Sequence, residues 1–150
     1  MFLYAMGHGV TTGAMCEHLQ HLSETISYYV NCVIKAIALL RFTYIMLPSG
    51  TDPVHPCIRH DDCFYPYFKD AIGAIDGTYI SAHVLKDRQV RYRNRKNVIS
   101  QNVMDICGFD LIFHYVGIGF EGAATDMMVL GRAFDIDGFT VPQGKYYLVD

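Results

Sequence analysis

Basic residues are scarce in this chain: twelve lysines and arginines stand against fifteen aspartates and glutamates, giving a formal net charge of −3. Proteins that coat nucleic acid non-specifically do so through many cations that displace counterions, and this balance sets that class aside. Cysteine is sparse and odd in number. Cys16, Cys32, Cys57, Cys63 and Cys107 lack the dense, even arrangement of a small secreted scaffold, which points to a reducing compartment. A basic leader is also missing, because MFLYAMGHGVTTGAM begins apolar without a positive n-region or a clean stretch before a cleavage site. The most apolar run, VIKAIALLRFTYIML, is short and carries Lys35 and Arg41, so a soluble protein with no membrane partner is expected. Internal repeats and low-complexity tracts are absent.

What remains is a globular composition. With 51% apolar and 18% charged residues over 150 positions, the chain has enough material for one buried core. The ends read as those of a fragment or truncated gene model: Met1 opens directly in an apolar segment, and KYYLVD stops at its aspartate.

Residues 1–47 read as helical. MFLYAMGHG is a short helix ended by Gly7 or Gly9, and TTGAMCEHLQHL is a second starting near Thr12. SETISYYVNCVIKAIALLRFTYI is a long third, with Ser23 or Thr25 as N-cap and Ile26, Tyr29, Val30, Val33, Ile34 and Ile37 recurring at helical spacing. The arrangement is compatible with a helix-turn-helix, while a small helical cap or packing subdomain is the better reading from pattern alone. Residues 48–69 form a connector, since the stretch from Leu47 to Lys69 holds four of the five prolines. Its His55, Cys57, His60 and Cys63 invite a zinc reading, but the tight ligand pairs of structural zinc are missing and loop histidines with semi-buried cysteines are the better account.

From residue 70 the periods become those of strands. AIGAIDGTYI is the first, and ISQNVMDIC and LIFHYVGIGF form an antiparallel hairpin through GFD. A helix starts near Thr125 with Met128, Val129 and Ala133 towards the core, and YYLVD is the last strand. Two aspartates, Asp76 and Asp150, stand at the exits of nearly apolar strands, while Asp126 opens the helix. Strands placed side by side would bring carboxylates to one edge, where a cation must bridge them. Magnesium or manganese suits such hard oxygen donors, and a pair of such ions activates water and stabilises the leaving oxygen of a phosphodiester. Asp126 reads equally as a helix N-terminal residue favoured by the dipole.

Half of the twelve cations fall in an eleven-residue window: Lys86, Arg88, Arg91, Arg93, Arg95 and Lys96. Such a cluster holds a phosphate backbone without reading bases, with Tyr92 as a stacking or sugar contact, or else it is a solvated loop.

GAIDGTYISAHV, RYRNRKNVISQNVMDICGFDLIFHYVGIGFEGAATDMMVL and YYLVD, taken in order, resemble the transposase domain of PIF/Harbinger elements and their domesticated nuclease-like relatives, over most of residues 64–150. The resemblance implies an α/β fold, an RNase H-like mixed sheet present in part, with residues 70–150 as the first part of the nuclease domain. It implies phosphodiester hydrolysis or strand transfer on DNA with Mg2+ or Mn2+, and a nuclear location. Asp76 matches the first metal-binding aspartate, Asp126 the one after the small-residue motif and Asp150 a further one, so all three enter as candidate catalytic and metal-binding residues. Lys86, Arg88, Arg91, Tyr92, Arg93, Arg95 and Lys96 enter as candidate DNA contacts. A homo-oligomer or a separate DNA-binding partner protein is the company such systems keep. Departures are Asn97 for glycine, Phe120 for tryptophan and Tyr79 for histidine, and the chain has no match for the distal glutamate. Its absence argues against independent catalysis by this chain, as an incomplete and inactive nuclease domain, and opens the alternative of a non-enzymatic domesticated DNA-binding or protein-interaction scaffold.

Overall fold

The computed structural model describes residues 1–149, and the chain divides into two compact units, Met1–Tyr44 and Ile45–Asp150.

The first unit is helical. α1 (Phe2–His8) closes on Gly9, whose left-handed φ of 60° lets its N–H reach back to the Ala5 carbonyl. α2 (Thr12–Leu19) starts on Thr11, whose hydroxyl accepts from the Ala14 N–H at 3.4 Å. α3 (Ser23–Leu39) begins on Leu22 with no side-chain cap, which corrects the expected cap at Ser23 or Thr25. The short α4 (Arg41–Tyr44) follows it. Ala5, Met15 and Ile26 make a small core. Only the first turns of α3 share in it: Tyr29, Val33, Ile34 and Ile37, expected on a buried stripe, are exposed. Together α3 and α4 make a helical stretch of 22 residues, Ser23 to Tyr44, in which an 18-residue window has a mean hydropathy of 1.2, long and apolar enough by length and composition alone to cross a membrane. The run VIKAIALLRFTYIML is shorter because it begins at Val33, well inside this helix.

The second unit is built on a four-stranded sheet. β1 (Ala71–Ser81), β2 (Ser100–Cys107) and β3 (Phe113–Glu121) form an antiparallel meander, and β4 (Tyr146–Val149) lies parallel to β1 on its other side, so the order is β3-β2-β1-β4. Two short helices, α5 (Pro56–Arg59) and α6 (Gln89–Tyr92), precede and follow β1. A parallel pair cannot be closed by a tight turn, and α7 (Asp126–Asp135) makes the crossover from β3 to β4. Thr125 caps α7, its hydroxyl accepting from the Met128 N–H at 3.3 Å.

Val129 and Ala133, one turn apart, face the sheet and pack with Met104, Ile106, Phe139 and Tyr147. Met128, expected inward, is exposed because it lies about 100° around the helix from Val129. The Tyr147 hydroxyl sits 2.9 Å from His114 Nδ1, and burial pushes the Tyr147 pKa up to about 12.

Candidate functional site at β1 and the basic segment

Asp76 lies in the middle of β1, not at its exit as expected, because the alternating Thr78, Tyr79 and Ile80 carry the strand on to Ser81. Val149 pairs with Ile75, so beyond that point the β4 side of β1 has no partner among the described residues. Asp76 is exposed, and its Oδ1 accepts from the N–H of Gly77 at 2.7 Å. Asp150, the third candidate, lies outside the described residues.

Register decides which carboxylates share a face. Residues directly opposite in an antiparallel pair point the same way, with Cβ atoms about 4.5–5.5 Å apart. Asp76 is paired with Asp105 of β2, so those two carboxylates stand on one face. Asp105 is absent from the sequence-derived candidates. Its signal is an acid inside the apolar run VMDIC, but only the register sets it opposite Asp76. Two like charges so placed repel, and a bound cation would relieve the repulsion.

Asp126 is on the other face. Successive residues of a strand point to opposite sides, and a Cβ built on Gly77 would run into the Asp126 carboxylate, with Cγ at 2.6 Å. The lack of a side chain at Gly77 is what lets α7 bring this carboxylate against the strand. Both oxygens are engaged: Oδ1 accepts from Asn102 Nδ2 at 2.7 Å, and Oδ2 lies 3.8 Å from an Arg95 guanidinium nitrogen. Asn102 is fully buried and also donates to the Ala124 carbonyl at 3.0 Å, which fixes its amide orientation and leaves its Oδ1 without a partner. The Tyr79 hydroxyl, followed by the Asp126 charge, holds the Arg95 guanidinium above its ordinary pKa.

The basic segment wraps around this point. Asn94, buried, is its hub: its Oδ1 accepts from the Lys96 and Val98 N–H groups at 2.9 and 3.0 Å, and its Nδ2 donates to Ser100 Oγ at 3.0 Å. An Asx turn of this kind holds a loop open with its charges outward. Asn97 completes the turn at φ 61°, a left-handed conformation that glycine or asparagine accepts. Lys86, Arg88, Arg91, Arg93, Arg95 and Lys96 are all exposed, and Tyr92 is half-buried. Arg91 meets Glu121 at 3.7 Å and Arg93 donates to the Asn97 carbonyl at 3.1 Å. Between the turn and the end of β1 lies a shallow concavity of ≈ 420 Å³ lined by Gly77, Tyr79, Ser81 and Lys96 among others.

Replacing Asn94 by alanine should cost about 2 kcal/mol of local protection, since two amides lose their acceptor. Hydrogen exchange at the Lys96 and Val98 amides is then expected to quicken by roughly thirtyfold. Unchanged protection there would contradict the hub role.

Among the described residues, no group of three or more His, Cys, Asp or Glu side chains converges as a metal site. Asp76 and Asp105 are hard oxygen donors that fit part of a magnesium or manganese coordination sphere. Asp126 does not join them on their face. His55 and Cys57 of the connector are 3.0 Å apart, Nδ1 to Sγ. Comparison with known proteins supplies no family: no family model matches the chain, and no curated protein and no solved structure matches it either.

Proposed function

We propose that this chain carries part of a transposase-derived, divalent-metal-dependent nuclease that hydrolyses or transfers phosphodiesters of DNA in the nucleus. The observation that carries the reading is the position of Asp76: an exposed carboxylate on an inner strand of a β3-β2-β1-β4 sheet, directly opposite Asp105, in the strand that runs towards a segment of six cations. The strand order, with an antiparallel meander followed by a helical crossover to a parallel fourth strand, supports an RNase H-like assignment. Asp76 and Asp105 would hold Mg2+ or Mn2+, which supplies a polarised water and charge neutralisation at the phosphate. The protein's own part is positioning. Lys86, Arg88, Arg91, Arg93, Arg95 and Lys96 hold the DNA backbone electrostatically, and Tyr92 offers a stacking or sugar contact beside them.

A second reading has its own observation. The Asp126 oxygens are taken by Asn102 and Arg95, and no third acid joins Asp76 and Asp105 among the described residues, which favours a DNA-binding scaffold that performs no chemistry. Manganese titrated into the isotopically labelled chain separates the two. On the nuclease reading, paramagnetic broadening centres on the amides from Ile75 to Thr78 and on their β2 partners, and Asp76→Asn weakens it at least about tenfold. Broadening that ignores this strand, or survives Asp76→Asn unchanged, removes the metal role and leaves the scaffold.

A further inference from the structure

The stretch between β3 and α7, Glu121 to Asp126, is laced to the basic segment along its length. At one end Arg91 meets Glu121 at 3.7 Å, and at the other Arg95 meets Asp126 at 3.8 Å. Between them the Ala123 N–H donates to the Arg91 carbonyl at 2.9 Å. Gly122 admits the close approach: a Cβ there would collide with the Tyr92 carbonyl and come within 2.6 Å of the Ser100 carbonyl oxygen. Asp126 is itself anchored, by Asn102 Nδ2 at 2.7 Å and by its seat over Gly77. A rigid carboxylate therefore faces a cation on a long, solvated stem: Asp126 is 42% exposed at its side chain and Arg95 80%.

A surface pair of this geometry contributes little to stability. Its consequence is orientation, since it restricts where a long arginine side chain spends its time. We propose that Asp126 is a positioning residue: anchored by Asn102, it holds Arg95 where the basic segment presents its guanidinium to a DNA phosphate. Asp126 thus acts through Arg95 and not through a metal. The inference rests on the DNA reading of the basic segment. It also explains why the acid sits apart from Asp76 and Asp105, on the opposite face of β1. Asp126 faces one guanidinium nitrogen, at 3.8 Å, and the five N–H donors of the planar group leave others free to meet a phosphate while that contact holds.

The test measures binding of a short labelled DNA duplex to the full chain at fixed low ionic strength. Asp126→Ala is expected to weaken binding about tenfold even though it removes a negative charge, whereas Asp126→Asn, which keeps an oxygen acceptor for Arg95, stays within about twofold of the unaltered chain. In an Arg95→Ala background the Asp126→Ala change has no further effect. Manganese binding by Asp126→Asn matches that of the unaltered chain. Affinity at or above the starting value in Asp126→Ala overturns the proposal, because simple removal of repulsion would do that. So does an equal loss in the Arg95→Ala background, which would make the effect a general one of folding, or a lost manganese response in Asp126→Asn, which would make it a ligand. If the chain in which Arg91, Arg93 and Arg95 are all replaced binds DNA as well as the unaltered one, the DNA reading itself has failed; if that chain binds weakly while Asp126→Ala binds normally, only the positioning role has.

Discussion

Glutamine in place of Arg91, Arg93 and Arg95 together is expected to lower duplex DNA affinity by about a hundredfold at low salt, taking roughly 1 kcal/mol for each phosphate no longer neutralised. The salt dependence is the sharper readout. Each neutralised phosphate contributes about 0.9 to the slope of log affinity against log salt, so removing three guanidiniums flattens it by about 2.7. All three are exposed, yet each is tethered: Arg91 to Glu121, Arg93 to the Asn97 carbonyl and Arg95 to Asp126. Glutamine removes the cation and leaves Glu121 and Asp126 facing the DNA uncompensated, which adds repulsion to the weakened attraction. Arg59, exposed at the end of the short connector helix, serves as the control, and Arg59→Gln leaves the slope unchanged. Filter binding or anisotropy across a salt series measures both quantities. A slope unmoved by the triple replacement would show that the segment does not touch phosphate.

Much of the second unit is legible in the sequence, and the reasons are local. Period-two alternation in AIGAIDGTYI and ISQNVMDIC, with a turn at GFD, specifies strands whatever they pair with. The start of α7 is legible because Thr125 and Asp126 satisfy a helix N-terminus in any context. What escapes are facts about faces. Nothing in the order of residues tells that Asp76 is opposite Asp105, because register belongs to two strands at once. For the same reason the sequence groups Asp126 with Asp76, although alternation turns Asp76 away from the face of Gly77 against which the Asp126 carboxylate lies. The Asn94 hub is equally hidden. An asparagine among arginines looks like one more polar loop residue until its three hydrogen bonds are seen.

The helical unit differs. Helical spacing in SETISYYVNCVIKAIALL is visible, and α3 forms as expected. Burial is not, since an apolar stripe states what a helix is able to cover and not whether something covers it. Ile26 is buried while Val33, Ile34 and Ile37 are exposed, because α1 and α2 reach only the first turns.

The second large effect concerns Asp76 and chemistry. Loss of a metal-binding carboxylate removes both the ion's hold and the charge stabilisation it brings, and losing one group that acts only in the transition state commonly costs on the order of a hundred- to a thousandfold in rate. Asp76→Asn keeps the size and the acceptor for the Gly77 N–H, so β1 is not disturbed, while the negative charge is gone. DNA affinity is expected to stay within about twofold, since the basic segment is untouched. The measurement that tests the account most directly is manganese-dependent nicking of supercoiled DNA by the full-length protein that carries this chain and by its Asp76→Asn form, with DNA binding followed in parallel. The account predicts nicking that chelation of the metal stops and that Asp76→Asn abolishes while binding persists; nicking that continues undiminished in Asp76→Asn, or DNA binding with no nicking by the unaltered full-length protein, would contradict it.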